Sequence, residues 1–251
     1  MPQPSRPPLA YDDVGSGMPV VLIHGFAGTA RAHFTPLIQA LATDYRVIAP
    51  DLSGHGRSAA IPRQVDARLH YHDADDLLAL IETLGLEQVN LIGYSDGAET
   101  AIILAAMLGE RARSMIIWGV SGRVPPQSVV ALYAAPSERI HSWPSLRAEL
   151  EALHGAGTAE PMLTQWAHAM QDMQAQGGVI NDADAARVRC PALVLAGDRD
   201  PFNPLEATQA LVTRMSHARL VTLPGAGHDL LEERDPQVIA LARSMLGHPV
   251  V

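Results

Sequence analysis

The chain has 251 residues, 47% of them apolar and 18% charged, which are the proportions of one large globular domain with a sizeable core. A net charge of −9 at pH 7 excludes the broad basic face that a nucleic-acid partner needs. Cys190 is the only cysteine, so no internal disulfide is possible and a reducing compartment is expected; beside Pro191, at the start of a predicted strand, it reads as structural.

In chain order, the Pro-rich segment 1–8 has no apolar stretch of the kind a secretory signal carries. Run 101–108 is among the longest apolar runs and is far short of the ~20 residues that span a bilayer. A soluble, cytoplasmic chain with no membrane partner is expected. Run 19–24 predicts a strand. Segment 29–43 predicts a helix, with Ala30, Phe34, Leu37, Ile38 and Leu41 on one face. A strand follows over 45–50, then a helix over 70–84 with Leu77, Leu78, Ile81 and Leu84 at helical spacing. Strands are predicted over 89–92, 114–120, 192–196 and 218–223, and helices over 98–108, 205–214 and 231–246. This alternation predicts a mainly parallel sheet with helices on both faces. It breaks between 120 and 191, where about 70 residues pass without a convincing strand. Met162, Leu163, Trp166, Met170 and Met173 share a helix face there, so a short helical cap over 121–191 is expected, inserted in a core of 1–120 and 192–251. Most of that stripe reads as core packing, although Met and Trp also suit a small apolar pocket.

The most informative stretch is Gly93-Tyr94-Ser95-Asp96-Gly97, a G-x-S-x-G sequence between a predicted strand and a predicted helix. A strand that turns sharply into a helix exposes the hydroxyl of its central serine, and the glycines allow the two elements to pass closely. The helix N-terminus beneath Ser95 favours developing negative charge. A serine hydroxyl is a weak nucleophile and needs a histidine base, itself oriented by a carboxylate. Two later segments, each just past a predicted strand, offer these: Gly197-Asp198-Arg199-Asp200-Pro201 and Gly227-His228. The residues leave both Asp198 and Asp200 open as the acid, with Asp198 also suited to organising its own loop. Pro201 pushes Asp200 towards an extended backbone.

Other polar groups read as structural. His70, His72, Asp73, Asp75 and Asp76 lack the H-x-H-x-D-H zinc spacing because Ala74 interrupts it, so no metal is expected. Gly54-x-Gly56 has no third glycine and opens no clear helix, so no dinucleotide cofactor is expected; none of any kind is. His24 is expected to pack the His-Gly turn, and His55 belongs to the Gly-rich loop.

Taken together, His24-Gly25-Phe26, the stretch Asp51 to Ser58, the Ser95 pentapeptide, Gly197 to Pro201 and Gly227-His228 resemble the α/β-hydrolase superfamily in order and spacing. The Ser95-Asp96-Gly97 turn, the Met115-to-Gly119 strand, Trp143, and the stretch Leu150 to Gly155 most resemble its valacyclovir hydrolase (biphenyl hydrolase-like) branch. Two departures stand out: the usual first strand is nearly absent because Tyr11 lies so close to the start, and Ala98 stands where many relatives have glycine.

The resemblance implies an α/β-hydrolase fold, and Asp200 as the acid because similar hydrolases place it three residues after the glycine. It implies a Ser95–His228–Asp200 triad that cleaves small carboxylic esters through an acyl-enzyme. The N–H groups of Asp96 and Phe26 are expected to form the oxyanion hole. Asp96, Trp118 and Trp166 are expected to bind substrate, with Asp96 reading the ammonium of α-amino-acid esters, the substrates this branch favours. Lactones, carbon–carbon bonds and perhydrolysis are alternatives on the same triad, and a non-catalytic ligand-binding role is a further one. The sequence assigns no oligomeric state.

Overall fold

A computed structural model describes residues 8–134 and 144–247; Trp143 lies outside them. Seven strands form one sheet in the order β1-β3-β2-β4-β5-β6-β7. They are β1 (Tyr11–Val14), β2 (Pro19–Ile23), β3 (Arg46–Pro50), β4 (Val89–Tyr94), β5 (Ala112–Trp118), β6 (Ala192–Gly197) and β7 (Ala218–Leu223). All neighbours are parallel except β1, which runs antiparallel to β3 with Tyr11 opposite Pro50 and Val14 opposite Val47.

The central strands are apolar on both faces, as a parallel sheet covered on both sides requires. Val21 and Ile23 of β2 point into a core with Leu77 and Ile102, while Val20 and Leu22 point into a second core with Phe34 and Val238. Helices α2 (Leu69–Thr83) and α3 (Asp96–Leu108) cover the first face; α1 (Ala30–Leu41) and α9 (Leu230–Met245) cover the second. The buried α1 positions Phe34, Leu37 and Leu41 keep helical spacing, and Thr29 caps the helix by accepting the Ala32 N–H at 3.1 Å.

The sequence leads one to expect almost no strand ahead of β2, and the structure has one of four residues. It is an edge strand, half-exposed, with two aspartates in place of an apolar pattern. Besides its ladder to β3 and the packing of Tyr11 on the core, its aspartates are held by ion pairs: Arg31 and Arg57 reach Asp12, and Arg46 reaches Asp13. Periodicity of apolar residues cannot reveal such a strand.

Between β5 and β6 lies the cap, with α4 (Gln127–Ala134), α5 (Pro144–His154), α6 (Ala159–Ala175) and the short α7 (Asp182–Ala185). The last core helix before β7 is α8 (Leu205–Val212). Leu163, Trp166, Met170 and Met173 of the α6 stripe are buried. The two chain crossings between core and cap run side by side: Val124 donates its N–H to Gly178 O at 3.0 Å, and Ile180 donates to Gly122 O at 2.9 Å. Among the described residues no helix is long and apolar enough to cross a membrane. Cys190 is buried, and burial pushes its thiol up to about 11.

Candidate active site

Ser95 follows β4 and precedes α3, at φ 55° and ψ −126°. A non-glycine residue at positive φ is strained, and the strain holds the hydroxyl at the tip of the turn. The flanking glycines are required by close approach. A Cβ on Gly97 would stand 2.1 Å from Ile23 O, and one on Gly93 would stand 2.6 Å from Gly97 O. The departure at Ala98 costs no space, since its methyl packs fully buried in the α2–α3 core.

Three residues from three loops meet at the carboxyl ends of β4, β6 and β7. Ser95 Oγ donates to His228 Nε2 at 3.0 Å, and His228 Nδ1 donates to Asp200 Oδ2 at 2.8 Å. The carboxylate can only accept, so Nδ1 carries the proton and Nε2 presents its lone pair to the serine. Asp200 is fixed in turn: its Oδ1 accepts the N–H groups of Phe202 at 2.8 Å and Asn203 at 3.1 Å. Asp198 points elsewhere, accepting the Gly225 N–H at 2.7 Å, which ties the loop after β6 to the loop after β7.

The imidazole of His228 is held by rings, with Phe202 at 4.6 Å and Tyr94 at 5.3 Å between centroids. Gly119 makes room for it: at φ +64°, a Cβ there would stand 2.8 Å from His228 Cε1. Sequence reasoning does not identify Gly119, Tyr94 or Phe202. The only available signals are a glycine straight after β5 and an aromatic residue two positions after Asp200.

The loop after β2 brings Phe26 to the site. His24 lies beneath it, donating from Nδ1 to Gly25 O at 2.9 Å and accepting the Leu52 N–H at Nε2, also at 2.9 Å. Burial lowers its pKa to about 3, which keeps it neutral. His33 accepts the Gly25 N–H at 3.2 Å, and burial lowers its pKa to about 4. Ala27 sits at φ 59°. Among the described residues, the N–H groups of Phe26 and Asp96 have no hydrogen-bond partner, and both residues line the cavity above Ser95.

That cavity encloses about 190 Å³ between core and cap, with Trp166, Met170 and Tyr133 on the cap side. Asp96 faces it from the first turn of α3. Its Oδ2 accepts the indole N–H of Trp166 at 2.8 Å, and its Oδ1 lies 3.5 Å from His70 Nε2. Burial works to raise the Asp96 carboxyl; the facing His70, the Arg63 guanidinium and the indole outweigh it and hold it below the usual range. Trp166 also stacks on Phe26, with centroids 4.8 Å apart and planes at 18°.

Trp118, expected at the substrate, is a correction. It is fully buried, edge-on to Phe34 at 5.8 Å and stacked on Tyr94 at 5.7 Å. Residues two apart on a strand share a face, so Trp118 points with Ile116 into the α1–α9 core. Tyr94 lines the cavity in its place.

One turn beyond Asp96, Glu99 is also buried. Its Oε1 accepts the N–H groups of Ser121 at 3.2 Å and Gly122 at 2.9 Å, and its Oε2 accepts the Asn181 amide at 2.6 Å. One carboxylate on the helix that follows Ser95 therefore grips both crossings into the cap. Burial pushes it up to about 7, against the pull of His70 and of these bonds. Of the residues weighed for a metal, Asp73 pairs with Arg63, Asp76 accepts from Ser53, His72 reaches Asp66 and His70 faces Asp96, so these four take separate partners.

A sheet of this topology, with a G-x-S-x-G turn after β4 and Asp200 and His228 in the loops after β6 and β7, has the layout of an α/β hydrolase. The sequence signature of the alpha/beta hydrolase family matches residues 20–242, so the chain belongs to that family and is a hydrolase. It is 30% identical over 226 residues to mouse Serine hydrolase BPHL, covering 88% of this chain and 77% of that one, and so resembles the biphenyl hydrolase-like branch. It is 26% identical over 238 residues to 2-hydroxy-6-oxo-6-(2'-aminophenyl)hexa-2,4-dienoic acid hydrolase of Metapseudomonas resinovorans, covering 87% and 80%. Among solved structures, a thermophilic esterase from Thermogutta terrifontis superposes with a TM-score of 0.73 at 26% identity, covering 95% of this chain and 92% of that one.

Proposed function

We propose that this chain is a cofactor-free serine hydrolase of small carboxylic esters, with α-amino-acid esters as its preferred substrates. The observation that carries the reading is the unbroken line Asp200–His228–Ser95, with bonds of 2.8 and 3.0 Å, ending at a strained serine under a cavity. Ser95 Oγ attacks the ester carbonyl while His228 Nε2 takes its proton. The N–H groups of Phe26 and Asp96 receive the developing oxyanion. Collapse expels the alcohol, protonated by His228, and leaves the acyl group on Ser95. Water, activated by the same imidazole, then attacks the acyl carbonyl and frees the acid. Asp200 holds the Nδ1–H tautomer and stabilises the imidazolium.

The cavity supports a small substrate: about 190 Å³ is below the ~300–1,000 Å³ of ordinary ligand pockets. The ionised Asp96 beside the nucleophile supports an ammonium on the α-carbon. A carboxylate has about four acceptor positions, and the indole takes one. The Ser95→Ala protein tests the reading: it should fold, lose labelling by a fluorophosphonate, and keep only a residual rate on esters, about 10³–10⁴-fold above water. Retention of most of the kcat would overturn it. Carbon–carbon bond cleavage is the second reading, favoured by the likeness to the Metapseudomonas resinovorans hydrolase; a panel of esters, lactones and dienoic acids separates the two.

A further inference from the structure

We infer that Trp166 of the cap is the positioning residue of the oxyanion hole, so that the cap assembles the catalytic machinery as well as covering it. The inference rests on the ester-hydrolase reading above. The two N–H groups expected at the oxyanion belong to Phe26 and Asp96, which come from separate segments. One sits in the loop after β2, the other opens α3. A single side chain touches both: the Trp166 ring stacks on the Phe26 ring at 4.8 Å and 18°, and its N–H donates to Asp96 Oδ2 at 2.8 Å. Trp166 is itself 4% exposed, packed against Val130, Met170 and Tyr133, so its position is fixed by the cap.

The two segments need this hold to different degrees. Asp96 is anchored by a helix. The Phe26 loop is not, and its next residue, Ala27, sits at φ 59°, a conformation that an alanine keeps only when its surroundings impose it. The cap imposes it from two helices. Trp166 of α6 covers Phe26. His154 of α5 donates from Nε2 to Ala27 O at 2.9 Å and accepts the Gly56 N–H at Nδ1 at 3.0 Å. Withdrawing the indole frees the Phe26 N–H to turn away from the carbonyl and releases the Asp96 side chain. Substrate binding changes little, whereas the charge that develops on the carbonyl oxygen loses the Phe26 donor.

The experiment compares Trp166→Phe, which keeps a stacking ring and loses the N–H, with Trp166→Leu, which loses both. Phe26→Leu removes the stack from the other side. Each is assayed on two matched esters, one with an α-amine and one without, and against an alkyl boronic acid, whose tetrahedral adduct carries an oxyanion-like oxygen. Circular dichroism confirms folding. Trp166→Phe should lower kcat about tenfold on both esters with KM within about twofold, and weaken the boronic acid in parallel; Trp166→Leu should exceed it, towards the ~10²-fold seen when an oxyanion donor is lost. Phe26→Leu should resemble Trp166→Leu. A loss confined to the amine-bearing ester would overturn the inference, because Trp166 would then act only through amine recognition. An unchanged boronic-acid affinity in all three variants would overturn it as well. Failure of the underlying reading looks different: the wild-type protein would resist fluorophosphonate labelling.

Discussion

The Ser95 turn and the cap are fixed by different means. At the turn the backbone does the fixing: Gly93 and Gly97 let β4, α3 and β2 approach to distances no side chain tolerates, and Ser95 is left at positive φ. The cap rests on the core through apolar packing of its helices with Leu69 and Phe26, and is tied to it by a few polar side chains. These include Trp166 on Asp96, His154 on Ala27 and Gly56, and Glu99 on Ser121, Gly122 and Asn181. Backbone constraints admit almost no substitution and stay with the fold. Side-chain ties can be exchanged one at a time, so the cap is where one scaffold changes what it accepts. That contrast predicts steep, chemical losses for changes around Ser95 and graded losses of selectivity or stability for changes in the ties.

The sharpest test of the steep side is the acid pair. Asp200→Asn should lower kcat by about 10⁴-fold, since an amide can hold the wrong histidine tautomer and cannot stabilise the imidazolium. Asp198→Asn should leave chemistry within a few-fold, because Asp198 accepts the Gly225 N–H, while His228 Nδ1 bonds Asp200. Steady-state kinetics of both proteins check this. Equal losses would mean that the two loops act as one unit, and that the core has side-chain ties as decisive as those of the cap.

Glu99 tests whether the ties are cheap. Its carboxyl is pushed up from the ordinary 4.5 to about 7, chiefly by burial, so the folded protein prefers it protonated. A raised carboxyl favours folding at low pH. That advantage is complete below about 4.5, declines as pH rises to about 7, and is gone above it. His24 and His33, lowered to about 3 and about 4, run the opposite way and lose stability as pH falls below 6.5. The difference between wild type and Glu99→Gln isolates the carboxyl. The Glu99→Gln protein should gain stability relative to wild type as pH rises from about 4.5 to 7, by on the order of 1–3 kcal/mol, then hold level. Denaturant melts across that range measure it. A flat difference would show that the bonds from Ser121, Gly122 and Asn181 repay burial in full.

The same contrast explains what the sequence reveals. The central strands, the helices and the meeting of Ser95 and His228 with the loop 197–201 follow from local signals: apolar periodicity, a G-x-S-x-G turn and loops just past strands. Strand β1 escapes such signals because two aspartates break its apolar pattern, and their ion-pair partners are arginines 19 to 45 positions further along. Trp118 is misplaced by them because an aromatic residue at the end of a strand does not announce which face it joins. Asp200 over Asp198 needs the family's spacing, since Pro201 alone does not decide it. The ties of the cap are hardest to read. Glu99 sits in an apolar helix and Trp166 in a packing stripe, and only the fold brings Glu99 to residues 121, 122 and 181, or Trp166 to Asp96. A side chain whose partner is 70 to 82 positions away leaves no local pattern.

The smallest expected effect is also the most discriminating, because Asp96 belongs to both regions. Its main chain is part of the Ser95 turn, while its carboxylate is a tie to the cap. Asp96→Ala keeps the N–H and removes the carboxylate. If the carboxylate reads an α-ammonium, kcat/KM for an α-amino ester should fall at least tenfold further, about 1.4 kcal/mol, than that for the matched ester without the amine, whose smaller loss reports only the missing Trp166 bond. Charge-assisted bonds in a partly buried site are strong enough to supply that difference. Asp96→Asn refines it: an amide can still accept the Trp166 N–H at the same position but has no charge to offer an ammonium. The Asp96→Asn protein should therefore turn over the amine-free ester at near wild-type rates and remain impaired on the amino ester. If both substitutions lower both esters equally, Asp96 reads no amine, and its carboxylate serves only to hold Trp166 over the site.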